Sequence, residues 1–198
     1  MNARPHPSAA RRAALVVTVA AAALAAAFAQ PAATLQPARG ELVFVSRQMG
    51  APVEGRFTRF DAQAALDPGQ PERGRAAITV ELASATLGHA DVDAELRSAG
   101  WFDVARHPTA GFRAESIRAA GAGRVELRGP LTLKGRSREL VVPVTLSAQP
   151  GGATLASGSF SIRRLDFGIG AGEWSDTSLV ADEVQVRFRL VLSAAPGS

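Results

Sequence analysis

From Glu183 to Leu192 the chain alternates strictly, with Val184, Val186, Phe188, Leu190 and Leu192 on one side and Glu183, Gln185, Arg187 and Arg189 on the other. A period of two marks a strand with one face in a core and the other in water; helices repeat their apolar positions about every 3.6 residues. Arg124 to Lys134 shows the same pattern, Val125, Leu127, Leu131 and Leu133 opposing Arg124, Glu126, Arg128, Thr132 and Lys134. Similar stretches at Leu42–Arg47, Val53–Leu66, Ala76–Leu82, Ala110–Ile117, Leu140–Ser147 and Leu155–Ile162 bring the strands to eight, joined by short Gly- and Pro-rich connections. Half-polar strands in succession, with almost no helix to cover a parallel sheet, predict an all-β antiparallel fold. Their length favours closure into an eight-stranded barrel, which removes exposed edges and leaves room inside for side chains or one small ligand. A two-sheet sandwich is the alternative. One segment departs from the pattern: Asp91 to Ala99 predicts a short helical insertion, with Asp91 as its cap and Gly100 as its stop.

The start of the chain has another character. A basic stretch ending in Arg11-Arg12 precedes an apolar run from Ala13 to Ala29 that closes on Ala27-Phe28-Ala29. Basic start, apolar middle and small-x-small exit predict a secretory signal peptide over residues 1–29, and hence a periplasmic protein. A retained membrane anchor is the competing reading, weakened by the alanine-rich composition. Arg11-Arg12 leaves Sec and twin-arginine export both open. A flexible leader is expected over residues 30–39 and a single domain over residues 40–194. Removal of Met1–Ala29 leaves 19 Arg and Lys against 18 Asp and Glu, so the high pI of the full chain describes no basic surface. The arginines are spread through the strands, and no nucleic-acid stripe is expected. The absence of Cys excludes disulfides, thiolate metal sites and a cysteine nucleophile.

Three local patterns suggest chemistry, and each has a plainer explanation. Gly168-Ile169-Gly170-Ala171-Gly172 resembles a phosphate-cradling loop but is followed by no helix, so turns with positive φ are expected there. Asp166, Glu173 and Asp176 share that loop; solvation or pairing with arginine accounts for them without catalysis. His89, Asp91, Asp93 and Glu95 alternate at a helix start, which splays them and suits the helix dipole better than a metal. With no G-x-S-x-G elbow and no converging acid and base, neither catalytic residues nor a metal or other cofactor are expected. What recurs in five of the eight strands is an aromatic side chain, which serves as core or as the lining of an apolar cavity.

The ordered motifs of the chain resemble those of the YceI-like family of exported bacterial lipid-binding proteins. They are Ser46-Arg47-Gln48-Met49-Gly50 with Val53-Glu54-Gly55-Arg56-Phe57, Asp91-x-Asp93-x-Glu95-Leu96 leading to Trp101-Phe102-Asp103, and His107-Pro108-Thr109-Ala110-x-Phe112. Leu131-Thr132-Leu133-Lys134-Gly135, Arg164-Leu165-Asp166-Phe167-Gly168-Ile169-Gly170 and Glu173-Trp174 complete the set, which spans Glu41 to Leu192. The resemblance implies an extended, lipocalin-like antiparallel barrel, often paired as a homodimer, that holds a polyisoprenoid such as a ubiquinone or a prenyl pyrophosphate. Gly100-Trp101 departs from the pattern, since many relatives carry a charged or polar residue and Phe there.

On that basis Phe44, Phe57, Trp101, Phe102, Phe112, Phe160 and Phe188 are the expected lining of an apolar tunnel. Arg47, Arg56, His89 and Arg164 are the candidates for its polar mouth, where a pyrophosphate or quinone oxygen would accept hydrogen bonds. For Arg164 the alternative is an ion pair with Asp166 or Glu173 that pins its own loop. A chain of about forty carbons prefers oil to water by roughly 25–30 kcal/mol at ~0.8 kcal/mol per CH₂, so it does not cross an aqueous compartment unaided. Two other functions compete with the carrier. One is an accessory protein that serves a membrane quinone or cytochrome partner through its outer surface; the other is an enzyme acting on an apolar substrate.

Overall fold

The computed structural model describes residues 33–66 and 70–193. Its strands are β1 (Ala33–Gln48), β2 (Ala51–Phe57), β3 (Phe60–Ala65), β4 (Arg75–Glu81), β5 (Ala85–Thr86), β6 (Thr109–Arg113), β7 (Ser116–Ala119), β8 (Arg124–Leu133), β9 (Arg136–Ala148), β10 (Thr154–Arg163) and β11 (Glu183–Ser193), with one α-helix, α1 (Ala90–Arg97). Eleven strands trace eight paths. β2 and β3 lie end to end along β1, β4 and β5 along β3 and β2, and β6 and β7 along β8. Each path is antiparallel to the next in sequence, and β11 returns to pair with β1, so the meander closes into a barrel. The predicted stretch Val53–Leu66 is thus one path bent at Thr58-Arg59. Buried Ser84 patches that bend: its Oγ accepts from the Arg59 N–H at 3.0 Å and donates to the Glu81 carbonyl at 2.7 Å.

Alternation sets the inside and the outside. Glu183, Gln185, Arg187 and Arg189 of β11 are exposed while Leu190 and Leu192 are buried; Val125, Leu127 and Leu133 of β8 are buried while Arg124, Glu126 and Arg128 are exposed. The β3–β4, β7–β8 and β9–β10 connections lie at one end of the barrel, together with the first residues of β1 and the last of β11. At the other end two long connections, 87–108 with α1 and 164–182, fold over the opening and fill it with Leu82, Leu96, Phe102, Phe167 and Ile169.

Two expectations are corrected. The leader is in part a strand: Thr34 and Leu35 pair with Ser193 and Leu192, and Ala33 and Thr34 with Ala64 and Gln63. The register with β11 then slips between Leu35 and Gly40, a stretch holding Pro37, which has no N–H to give to a ladder. The helix begins one residue before the expected cap. His89 occupies the cap position without a side-chain bond, and it is Asp93 that accepts, from Thr86 Oγ1 at 2.6 Å and the Leu87 N–H at 2.7 Å. The expected signal peptide lies outside the described residues.

Candidate ligand cavity

Inward-facing residues leave a cavity of about 150 Å³ in the middle of the barrel. Phe112, Phe160 and Phe188 stand in its wall with Ile78, Leu131, Val142 and Leu190, and small residues such as Ala62, Ala64, Ala110 and Ala156 keep it from being filled. Ala64, Leu66, Leu146 and Leu192 also line a second hollow of about 250 Å³ at the end where β8 starts, so the two adjoin. That outer hollow is bordered by Arg124, Thr154, Pro71 and the Gly121–Gly123 turn. A dry apolar pocket that opens through a partly polar mouth suits an apolar chain with a polar end.

The aromatic residues divide into two groups. Of the seven aromatic residues named from the sequence, Phe112, Phe160 and Phe188 line the cavity, whereas Phe44, Phe57, Trp101 and Phe102 do not. Those four lie nearer the covered end, where Phe44 and Phe57 rings pack 5.3 Å apart and Phe57 and Phe102 rings 5.9 Å apart. Trp101 packs against Trp174 at 5.7 Å, which puts the Gly100-Trp101 departure from the family pattern at the cover and not at an entrance. Trp101 Nε1 is buried without a partner.

The four residues expected at the mouth are placed elsewhere. Arg47 is exposed beside the β1–β2 turn and donates to the Gly50 carbonyl at 3.2 Å, Arg56 borders a separate surface groove, and His89 is exposed at the start of α1. Arg164 is 2% exposed and points into its own loop. Its guanidinium donates to the carbonyls of Ala181 at 3.0 Å, Ile169 at 2.9 Å, Gly170 and Val180 at 2.7 Å, and Trp174 at 2.6 Å. Burial lowers its pKa, partly offset by Asp182. Carbonyls, and not Asp166 or Glu173, are therefore its partners. The glycine loop is the wall of this cage: Gly168, Gly170 and Gly172 all have positive φ, and a Cβ on Gly170 would lie 2.5 Å from Arg164 Nη1. Lys134, at φ +50° in the β8–β9 turn, ties the two covering connections together, donating to Ala99 O at 2.9 Å and Gly168 O at 2.8 Å. Burial lowers its pKa. Burial raises that of Asp182, but bonds from the Leu165 N–H and Arg163 more than offset it and leave the carboxyl below its ordinary value.

The cation at the open end, Arg124, was not singled out in the sequence. Strand polarity is the signal that finds it: in an up-and-down meander the start of β8 lies at the same end as the close of β3 and of β9. Among the described residues no group of three or more His, Cys, Asp or Glu could hold a metal.

The chain belongs to the YceI-like family, whose domain model matches residues 34–192. A UPF0312 protein of Vibrio cholerae is 30% identical over 141 residues, which make up 67% of this chain and 75% of the relative. Among solved structures, BcnA of Burkholderia cenocepacia is 39% identical, with a TM-score of 0.77 over 79% of this chain and 98% of that one. A polyisoprenoid binding domain from Saccharophagus degradans, implicated in plant cell wall breakdown, shares the fold at 17% identity, with a TM-score of 0.68 over 84% of this chain and 99% of that one.

Proposed function

We propose that this protein binds and carries an apolar chain, of the polyisoprenoid type, in the periplasm after loss of Met1–Ala29, and that it does so without catalysis. The observation that carries the reading is the apolar cavity inside the barrel, covered at one end by Phe102, Phe167 and Ile169 and adjoined at the other by the hollow beside Arg124. The ligand named for the Saccharophagus degradans domain supports the same class. Phe112, Phe160 and Phe188 would contact the chain, and Arg124 would face a polar head, a quinone oxygen or a pyrophosphate. A second reading, binding of a membrane quinone or cytochrome partner, draws support from the covered end, where Met49 is 80% exposed and Leu179 45%.

Native mass spectrometry of the protein taken from its own cell envelope, with organic extraction, tests the carrier. A stoichiometric isoprenoid is expected. Ala64→Leu, which adds bulk to the wall shared by the two hollows, should lower the retained fraction at least tenfold while the thermal midpoint moves by only a few degrees. A bare mass that does not shift with added ubiquinone or prenyl pyrophosphate rejects the carrier and moves the partner-binding reading forward.

A further inference from the structure

The central cavity, at about 150 Å³, matches one known to hold a single benzene, far short of a long prenyl chain. The barrel wall shows where the rest of such a chain can go. β8 and β9 are paired at ten positions and β10 and β11 at ten, but β9 and β10 at only four, ending at Ser157 opposite Thr145. Continued in register, the seam would next set Pro143 against Ser159 and Val141 against Ser161. Pro143 has no N–H for that ladder. Gly158 admits the Pro143 carbonyl so closely that a Cβ would lie 2.2 Å from it. Beyond that point a cleft of about 160 Å³ opens between the strands, floored by Leu131, Leu140, Ile162 and Phe167.

The cleft continues the inner surface of the barrel. On β9, Leu146 lines both the mouth and the cavity, Val144 and Val142 line the cavity, and the next inward residue, Leu140, lines the cleft. On β10 the same order runs from Thr154 through Ala156 and Phe160 to Ile162. Leu131 is common to cavity and cleft. The rim holds Arg138 and Arg163 together with Glu139 and Asp166, a balanced set that favours no head-group charge. The cleft's exposed lining is mixed, and it is Leu131, Leu140 and Ile162 beneath the polar rim that would meet a hydrocarbon chain.

Resting on the apolar-ligand reading above, we infer that the β9–β10 seam is a lateral portal for an extended hydrocarbon chain. The cavity is then the middle of a conduit open beside Arg124 and at the seam, and a chain longer than the cavity threads through both.

The lack of cysteine makes the test clean. In the chain from Gln30 onward, which contains every strand of the barrel, Val141→Cys and Ser161→Cys are bridged with a short thiol crosslinker carrying a cleavable disulfide. The control bridges Ser159→Cys and Arg187→Cys, which face each other on the intact β10–β11 ladder. Association and release of cis-parinaric acid, an 18-carbon polyene that fluoresces in apolar surroundings, are then followed by stopped flow. Bridging the seam should slow both at least tenfold, reduction should restore them, and the control bridge should leave them unchanged. Unchanged rates with the seam bridged, or equal slowing by both bridges, overturn the portal while the carrier stands. Failure of the unbridged protein to bind parinaric acid, or farnesol as competitor, overturns both.

Discussion

Arg164 shows how one side chain can organise a connection that has almost no regular structure. Its donors satisfy five carbonyls of the 169–181 stretch, of which those of Ile169, Gly170 and Val180 would otherwise be buried without partners. Arg164→Leu should therefore lower unfolding free energy by about 3–5 kcal/mol in urea denaturation. Arg164→Lys should recover only part of it, because an ammonium has three donors and no planar fork. A loss below ~1 kcal/mol for Arg164→Leu would show that the cage contributes little. Asp182 sits against the same loop, accepting from the Leu165 N–H at 3.0 Å and from Arg163 at 2.9 Å. Its carboxyl is held below its ordinary value, so the unfolded chain binds the proton more readily and stability falls as pH drops through the folded-state pKa. Asp182→Asn should flatten the decline of the thermal midpoint below about pH 4, where an ordinary aspartate takes up its proton. An unchanged acid limb would reject that assignment. The sequence placed Arg164 and the glycines in one motif, but a buried carbonyl cage depends on residues as distant as Val180 and Ala181, which no local spacing reveals.

Among the elements, β1 carries the most consequence for its length. Its inner half pairs with β11 and β2, while its first residues close the circuit between β11 and β3. Deleting the chain through Arg39 should spare the β1–β2 pairing from Leu42 onward but open the barrel beside β3. Hydrogen exchange should then accelerate at Gln63 and Ala64 and stay slow at Val43 and Phe44; equal exchange in both forms would mean that the first residues close nothing. The two prolines of this stretch, Pro31 and Pro37, argue for a leader in the sequence because proline interrupts a ladder. Pairing on both sides of Pro37 outweighs that local signal. The same residue type has the opposite visibility at Pro143. It lies within the clean alternating run Leu140–Ser147, and only the partner strand shows that the ladder with β10 ends beside it.

For the whole molecule, alternation was enough to determine an all-β antiparallel architecture and to favour a barrel over a two-sheet sandwich. Period two decides which face of each strand is buried, and long half-polar strands with short connections can shed their edges only by closing on one another. The eight paths, the helical insertion and the positive-φ glycines were therefore all readable before any coordinate. Which end of the barrel is open was not. Phe44 and Phe57 look as good a tunnel lining as Phe112, Phe160 and Phe188, since both groups alternate along strands with the same chemistry, and Phe102 adds a further aromatic ring. Two connections far apart in sequence, 87–108 and 164–182, cover one end and turn the first group into a plug. The cavity walls remain with the second. The expected mouth residues Arg47, Arg56, His89 and Arg164 stand away from the cavity by the same logic, and Arg124 borders the hollow that adjoins it. Periodicity is a property of neighbours along the chain, so the sequence by itself determined the barrel and its inner face. A cavity is the space that distant segments leave unfilled, so only the tertiary structure could decide where it lies and where it opens.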